Sequence, residues 1–482
     1  MPVFKLSAIF RKIQEMRKLP LLPLFFLCAI TAFAQQEDSI LIKRISDEIL
    51  THGKAYDNLR YLTKQIGGRL AGSPGMVKAE KWGLKTMQES GADKAWMQEC
   101  MVPHWVRGGN DYARASFIPS TSKTNGGPYP AAVNKELDVV ALGNSFGTGK
   151  KGITEAVMIV NSFDELEKRK DEVKGKIVFY NYKFNDTYVN TFLSYRDAGQ
   201  YRGQGPSRAA KYGAKAVIVR SMSHAADNNP HTGATRYDSA YAKIPAVAIG
   251  LKDADWLSEQ LKTDNLKITI ITNGSFLPDT IGHNIIGELR GSEFPDEIIT
   301  IGGHLDSWDN CEGAHDDGAG VVQTMEILRA LKSIRYEPKR TIRFVLFMNE
   351  ENGGRGGAKY AEEAKAKNEK HIFALESDAG GFTPRGLGLT GTEEQYQKFL
   401  KWKDLIAPYG CSEFVRGGGG SDIGPLNKAF NTATGSLNPD TQRYFDIHHA
   451  RSDIFEAVNK RELELGAVNM AALIYLIDKY GL

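Results

Sequence analysis

Cysteine is scarce in this chain: four residues among 482. Cys28 lies in an N-terminal apolar run. The other three, Cys100, Cys311 and Cys411, are too few for a disulfide scaffold, and their odd number leaves at least one thiol unpaired within the chain. An oxidising compartment would allow one bridge, but which pair forms it depends on geometry that spacing does not give. Charge of one sign is also missing. Lys and Arg total 61 against 58 Asp and Glu, a net of +3, and no basic block stands out. That excludes a chain built mainly to hold nucleic acid. There is no internal repeat and no low-complexity tract. After residue 34 no apolar run approaches the roughly 20 residues of a membrane helix. What is there is 41% hydrophobic and 25% charged, ordinary globular composition with length for two or more domains.

The charge is unevenly placed. Residues 1–34 hold Lys5, Arg11, Lys12, Arg17 and Lys18 against Glu15, a net of +4, which leaves −1 for the rest. The basic RKIQEMRK precedes the apolar LPLLPLFFLCAITAFA, and Ala32-Phe33-Ala34 fits the small-residue cleavage rule. This order predicts an export leader over 1–34 and a mature chain starting at Gln35, periplasmic or secreted, with no stable membrane span after cleavage. The competing reading, a membrane anchor, needs a longer run than these ~16 residues. Bulky Phe25, Phe26 and Leu27 before Cys28 argue against lipidation.

Residues 37–100 read as helical, with apolar positions at three- and four-residue spacing in SILIKRISDEIL, DNLRYLTKQI and MVKAEKWGLKTMQESG. GGRLAGSPG interrupts them as a turn, and Gly91 ends the last helix. Between about 128 and 275 short β-rich runs recur: EAVMIV, GKIVFYNY, AKAVIVRS, IPAVAIG and LKITIIT. They predict a small β-rich domain with one or two helices. From 284 onward apolar strands alternate with amphipathic helices. This predicts an α/β fold whose central sheet is mostly parallel, with helices on both faces.

Three of those strand candidates end in metal-binding or acidic side chains. IITIGG runs into His304, TIRFVLFM into Glu350 and Glu351, and HIFALES into Asp378. In open α/β sheets ligands bind beyond the carboxyl ends of the strands, so these groups should converge. The stretch GGHLDSWDNCEGAHDDGAG adds Asp316 and Asp317 at a helix start, where aspartate is also favoured for capping. YFDIHHARSD adds His448 and His449. A mixed set of histidine and carboxylate donors suits zinc or a similar ion. Five or more such ligands exceed the needs of one tetrahedral ion and fit two ions sharing a carboxylate. Adjacent glutamates suggest that one binds metal while the other handles a proton.

HLDSWD…GAHDDGAG, NEENGG, ESDAGG and FDIHHARSD together resemble the M28 family of di-zinc peptidases, closest to its plasma glutamate carboxypeptidase (carboxypeptidase Q) branch. The order and spacing match through the last two-fifths of the chain. The segment 128–275 looks like the protease-associated domain such enzymes carry, inserted between 35–127 and 276–482 of a zinc-exopeptidase-type domain. The related M20 family spaces its first ligands further apart and places its extra domain after the glutamate pair. The resemblance implies two Zn2+ per chain. Their ligands would be His304, the bridging Asp316, Glu351, Asp378 and His449, with Asp306 orienting His304. Glu350 would be the general base. His449 is preferred to His448 because the family's ligand sits four residues before the aspartate of this motif, here Asp453, itself a supporting residue at most. Ser421 and Asp422 in GGGGSD are weaker substrate-side candidates, with a plain glycine linker as the alternative. His315 and His448 are expected at the surface, and Cys311 as a passive thiol. The implied activity is aminopeptidase or dipeptidase action on short peptides with a free N-terminus. Carboxypeptidase action, glutaminyl cyclase-like chemistry and a non-catalytic receptor-like protein are the alternatives. A homodimer is implied by the branch alone.

Overall fold

A computed structural model describes residues 22–119 and 131–482, with side chains from residue 36 onward. The side chains of the expected leader, 1–34, lie outside the described residues. The larger of two sheets has eight strands: β1 (Lys94–Val106), β2 (Ser275–Leu289), β3 (Phe294–His304), β4 (Arg340–Phe347), β5 (Lys370–Glu376), β6 (Pro384–Thr390), β7 (Glu413–Arg416) and β8 (Ala433–Pro439). Their spatial order is β1-β2-β4-β3-β5-β8-β6-β7. The centre is parallel, from β4 through β3 and β5 to β8. The flanks are antiparallel where β1 meets β2, β2 meets β4 and β8 meets β6. β6 and β7 are again parallel, so four of the seven pairings are parallel and the sheet is mostly parallel as expected, including the part beneath the site.

The near-continuous apolar strands are buried on both faces, as a covered parallel sheet requires. In β4, Ile342, Phe344 and Leu346 point into one core with helices α3 (Ala319–Ser333) and α5 (Lys460–Tyr480). Val345 and Phe347 point into the opposite core, with Tyr360, Ala361 and Ala364 of α4 (Arg355–Ala366). The N-terminal helices α1 (Leu22–His52) and α2 (Pro74–Glu89) cover the first core. Ser73 caps α2, its hydroxyl accepting from the Met76 N–H at 3.1 Å, and Pro74 occupies the first helical position, where its missing N–H costs nothing.

Residues 94–100, expected to be helical, instead begin β1. Gln98, Cys100 and Val102 are buried while Glu99 and Met101 between them are exposed. This two-residue alternation belongs to a strand and is hidden by the helical run before it.

The second sheet lies in the chain between β1 and β2, which run side by side and pair as far as Val106 and Ser275. It also has eight strands, in the order Val133–Leu137, Tyr112–Phe117, Lys267–Ile271, Ile153–Val160, Ile177–Tyr180, Ala216–Arg220, Ala246–Ile249, Val139–Ala141. Tyr112–Phe117 precedes residue 128, so this sheet starts upstream of the β-rich texture. Among the described residues four α-helices accompany it, not one or two: Phe163–Lys168, Thr191–Gly203, Gly205–Ala210 and Leu251–Thr263. Thr191–Gly203 went unseen because its buried face is Thr191, Ser194, Ala198 and Tyr201, which makes no apolar stripe. Among the described residues no helix is long and apolar enough to cross a membrane, and Cys100, Cys311 and Cys411 are all free thiols.

Candidate metal centre

The parallel register brings the strand ends together. His304, the last residue of β3, pairs with Phe347 of β4, and Gly302 pairs with Glu376 of β5. His304, Glu350, Glu351 and Asp378 therefore emerge from one edge of the sheet. His304 Nε2 lies 3.2 Å from Asp316 Oδ1 and 3.5 Å from Asp378 Oδ1. The other oxygen of Asp316, Oδ2, lies 3.2 Å from His449 Nε2 and 3.5 Å from His448 Nε2. His449 Nε2 is also 3.1 Å from Glu351 Oε2. Asp316 thus stands between two donor groups, one with His304 and Asp378 and the other with the histidine pair.

The loop carrying Asp316 is anchored at both ends. Buried Arg69 donates to the carbonyls of Leu305 (2.5 Å), Glu312 (2.7 Å) and Gly313 (2.9 Å). The Asp453 carboxylate accepts from the N–H groups of His315 (2.8 Å) and Asp316 (3.1 Å). Asp317 accepts from the N–H groups of His304 and Gly320, both at 3.0 Å, joining the end of β3 to the start of α3. Arg69 was not singled out from sequence, and Asp317 was named only beside Asp316 at the helix start, without a role of its own. Nothing marks an arginine in a Gly-Pro turn as a loop clamp, and the second aspartate of a pair reads as an ordinary helix cap.

Asp306 acts through two groups. Its main-chain carbonyl, not its carboxylate, accepts the Nδ1–H of His304 at 3.0 Å, which leaves Nε2 facing the cluster. Its carboxylate accepts from the N–H groups of Glu350 (3.0 Å) and Glu351 (3.2 Å). The two glutamates then diverge. Glu351 is buried against His449, while Glu350 remains partly exposed in a cavity of about 580 Å3. Asn349 before them and His449 opposite both have positive φ, 66° and 61°, uncommon for residues other than glycine and a frequent mark of functional sites.

Burial pushes Glu351 up to about 8, with neighbouring Asp316 adding to it, and burial lifts Asp378 to about 6. Burial likewise lifts Asp453 to about 7 and Asp306 to about 6. Burial would depress His304 and His449, but the carboxylates facing them outweigh it and hold both above the usual imidazole range. Asp316 Oδ2 and Glu351 Oε1 are buried and lack a well-aligned hydrogen-bond donor. Crowded carboxylates with unpartnered oxygens beside two imidazoles fit a divalent cation with nitrogen and oxygen ligands.

His315 and His448, expected at the surface, are both buried. His315 lies stacked on Phe382 with ring centroids 4.1 Å apart, accepts from the Gly381 N–H at 3.0 Å, and is pushed by burial down to about 4. His448 stacks on His449 at 3.5 Å. Ser421 lines the cavity, whereas Asp422 is buried below it near Glu376, whose carboxylate accepts from the Asp422 and Ile423 N–H groups at 3.1 and 2.9 Å. The second sheet also reaches the site. Thr232 donates its N–H to the His449 carbonyl at 3.0 Å, and its own carbonyl lies 3.3 Å from His449 Nδ1. No motif in the sequence pointed to this contact.

The profile of peptidase family M28 matches residues 284–474. Carboxypeptidase Q of Homo sapiens is 33% identical over 435 residues, covering 89% of this chain and 87% of that protein. Among solved structures, a peptidase M28 precursor from Shewanella amazonensis superposes with a TM-score of 0.84 at 29% identity, covering 92% of this chain and 97% of its own. BSAP, a zinc aminopeptidase from Bacillus subtilis, gives a TM-score of 0.60 at 21% identity, covering 87% and 93%, a likeness of fold.

Proposed function

Because the chain belongs to peptidase family M28, we propose that it is a two-metal exopeptidase, an aminopeptidase or dipeptidase acting on short peptides with a free N-terminus. The observation that carries this is Asp316, whose two carboxylate oxygens face two different donor groups. His304, Asp316 and Asp378 would hold one ion, and Asp316, Glu351 and His449 the other. Zinc suits this donor set. A bound zinc pair lowers the pKa of water from 15.7 toward about 7 and polarises a carbonyl oxygen. Glu350 faces the cavity beside that position. It takes the proton of the attacking water and returns it to the leaving amine. Asp306 positions both glutamates through their backbone N–H groups, so proton transfer and metal binding fall to adjacent residues without exchange of roles. A free substrate amine would seat among the carboxylates, fixing the chain end beside the reacting carbonyl.

Carboxypeptidase action is the second reading, favoured by the relatives named carboxypeptidase Q. Metal analysis together with hydrolysis assays tests both. About two ions per chain are expected, with unblocked dipeptides cleaved much faster than their N-acetylated forms or the internal bonds of long peptides. Equal rates on acetylated and free dipeptides rule out amine anchoring. Release of C-terminal residues from long, N-blocked peptides establishes carboxypeptidase action instead. We also propose that the mature chain is exported. N-terminal sequencing should begin within a few residues of Gln35, and an intact leader on a membrane-bound product refutes cleavage.

A further inference from the structure

We propose that a groove on the main body, away from the metal cavity, binds an acidic saccharide: a short chain of sugar rings that carry carboxylates. One bank of the groove is the helical stretch Ala55–Tyr61 with its continuation Leu62–Ile66, and the other is α2. Its volume is about 610 Å3, and it shares no lining residue with the metal cavity. The inference therefore does not depend on the peptidase reading.

Two aromatic rings line the groove. Tyr61, 49% exposed, lies beside half-buried Trp82, with ring centroids 6.2 Å apart and planes 16° from parallel. A third ring sandwiched between two others needs about 7 Å, twice the ~3.5 Å contact distance of carbon atoms. The pair is thus an open platform, not a slot. Around it stand polar groups of every kind. The amides of Asn58 and Gln65 and the ammonium groups of Lys78 and Lys81 make no hydrogen bond or ion pair with any described residue. Asp57 and Glu89 sit only in loose exposed pairs, with Lys54 at 3.9 Å and Lys85 at 3.6 Å. Exposed aromatic surface rimmed by convergent polar groups is the usual make-up of a ligand site.

The mixture selects the occupant. A sugar ring offers an apolar C–H face and a rim of hydroxyls, each of which both donates and accepts. The platform takes the face, and the amides and carboxylates take the hydroxyls. Lys78 and Lys81, three residues apart on α2 and so on one side of it, supply the charge for a sugar carboxylate. Other anions match less well. A nucleotide has no slot for its base and would bring its dense phosphate charge beside Asp57 and Glu89. An extended peptide needs free main-chain partners, and both banks are helices whose backbone groups are bonded within them. A helical peptide needs a row of apolar pockets, but Ile66 is the one aliphatic side chain lining the groove.

The test is calorimetric titration of the intact, metal-loaded protein with trigalacturonate, with maltotriose as the neutral trimer and acetylated triglutamate as an acidic peptide. Trigalacturonate should bind more tightly than maltotriose by about 3- to 10-fold at low salt, the span of two exposed charge pairs, and high salt should close the gap. Lys78→Gln/Lys81→Gln should also close it; both side chains are exposed, so the core is spared. Trp82→Ala should weaken both trimers about tenfold or more, as loss of an aromatic anchor does. Trp82→Phe should keep most of the affinity, which separates stacking from disturbed packing. Absence of trigalacturonate binding, or binding that survives both the lysine and the Trp82→Ala substitutions, overturns the proposal. Equal affinity for maltotriose at low salt overturns the carboxylate recognition. Acetylated triglutamate binding as tightly, with the same loss in Trp82→Ala, overturns the saccharide in favour of an acidic peptide.

Discussion

Replacing Gly233 by alanine should loosen one metal site from the side of the second sheet. Gly233 has φ +128°, a conformation L side chains rarely adopt. A Cβ there would lie 2.5 Å from the Arg202 guanidinium and 2.6 Å from His449 Nδ1. An unstrained contact between such atoms is about 3.5 Å, so something must move by about 1 Å. The arginine is held by Tyr195 and the imidazole by Thr232, next to Gly233 itself. Backbone relaxation at such a φ carries a cost of about 1–3 kcal/mol. If His449 gives way, the loss of its orienting carbonyl weakens the bound ion by about 10- to 100-fold, or roughly 1.4–2.7 kcal/mol. Zinc titration of Gly233→Ala should therefore show one site weakened by that factor and the other near wild type. Gly175→Ala is the control: its φ is +79° but nothing lies within 4 Å of the added carbon, so it carries backbone strain without displacement. Wild-type affinity at both sites in Gly233→Ala, or equal weakening in Gly175→Ala, refutes the coupling of the second sheet to His449.

Asp316→Asn should lower the affinity of both ions and abolish most activity, while His449→Ala should empty mainly one site; unchanged metal content in Asp316→Asn would sink the shared-ligand assignment. Glu350→Gln should keep its metal and lose ~10²–10⁴ in kcat, the usual scale for a general base, whereas Glu351→Gln should lose metal, and the reverse pattern would mean the roles are exchanged. Arg69→Met leaves the carbonyls of Leu305, Glu312 and Gly313 without their donor, which should cost about 3 kcal/mol or more in denaturant unfolding; a change below ~1 kcal/mol would show that the loop does not depend on the clamp.

The parts of the site legible in the sequence are those whose chemistry and position coincide. His304, Glu350, Glu351 and Asp378 could be read because apolar strand runs end at them, and parallel strands must deliver their ends to one edge. The supporting groups could not be read. Arg69 works through backbone carbonyls, and a carbonyl has no sequence signature. Asp306 was expected to orient His304, but which of its oxygens does so could not be read: the orienting oxygen is the backbone one, and the carboxylate holds the two glutamate N–H groups. His448 and His315 illustrate the opposite failure. Isolated loop histidines are usually solvated, but these two fill the floor of a packed site, one stacked on His449 and the other on Phe382.

The second sheet changes how the site should be understood. It enters and leaves between β1 and β2, whose long antiparallel pairing carries it out from the edge of the main sheet. It then returns to the metal cluster from above. Thr232 and His449 exchange contacts through two main-chain groups of the former, so the backbone of one sheet's loop sets the imidazole of the other's. Arg107 of the connecting segment binds Asp309 in the metal-bearing loop at 2.7 Å, and Trp105 packs edge-on against Trp308 of that loop with ring centroids 6.4 Å apart. Arg451, two residues from His449, pairs with Asp138 beside the strand Val139–Ala141. These contacts tie the second sheet and its connecting segment to the loops that carry Asp316 and His449. The parallel sheet alone explains four of the converging groups, but the placement of His449, held at positive φ in a short loop, depends on the second sheet pressing against it. A pocket with acidic donors on one body and cationic side chains on the other exists only at the joint between them, which is why neither sheet's sequence, read separately, shows it.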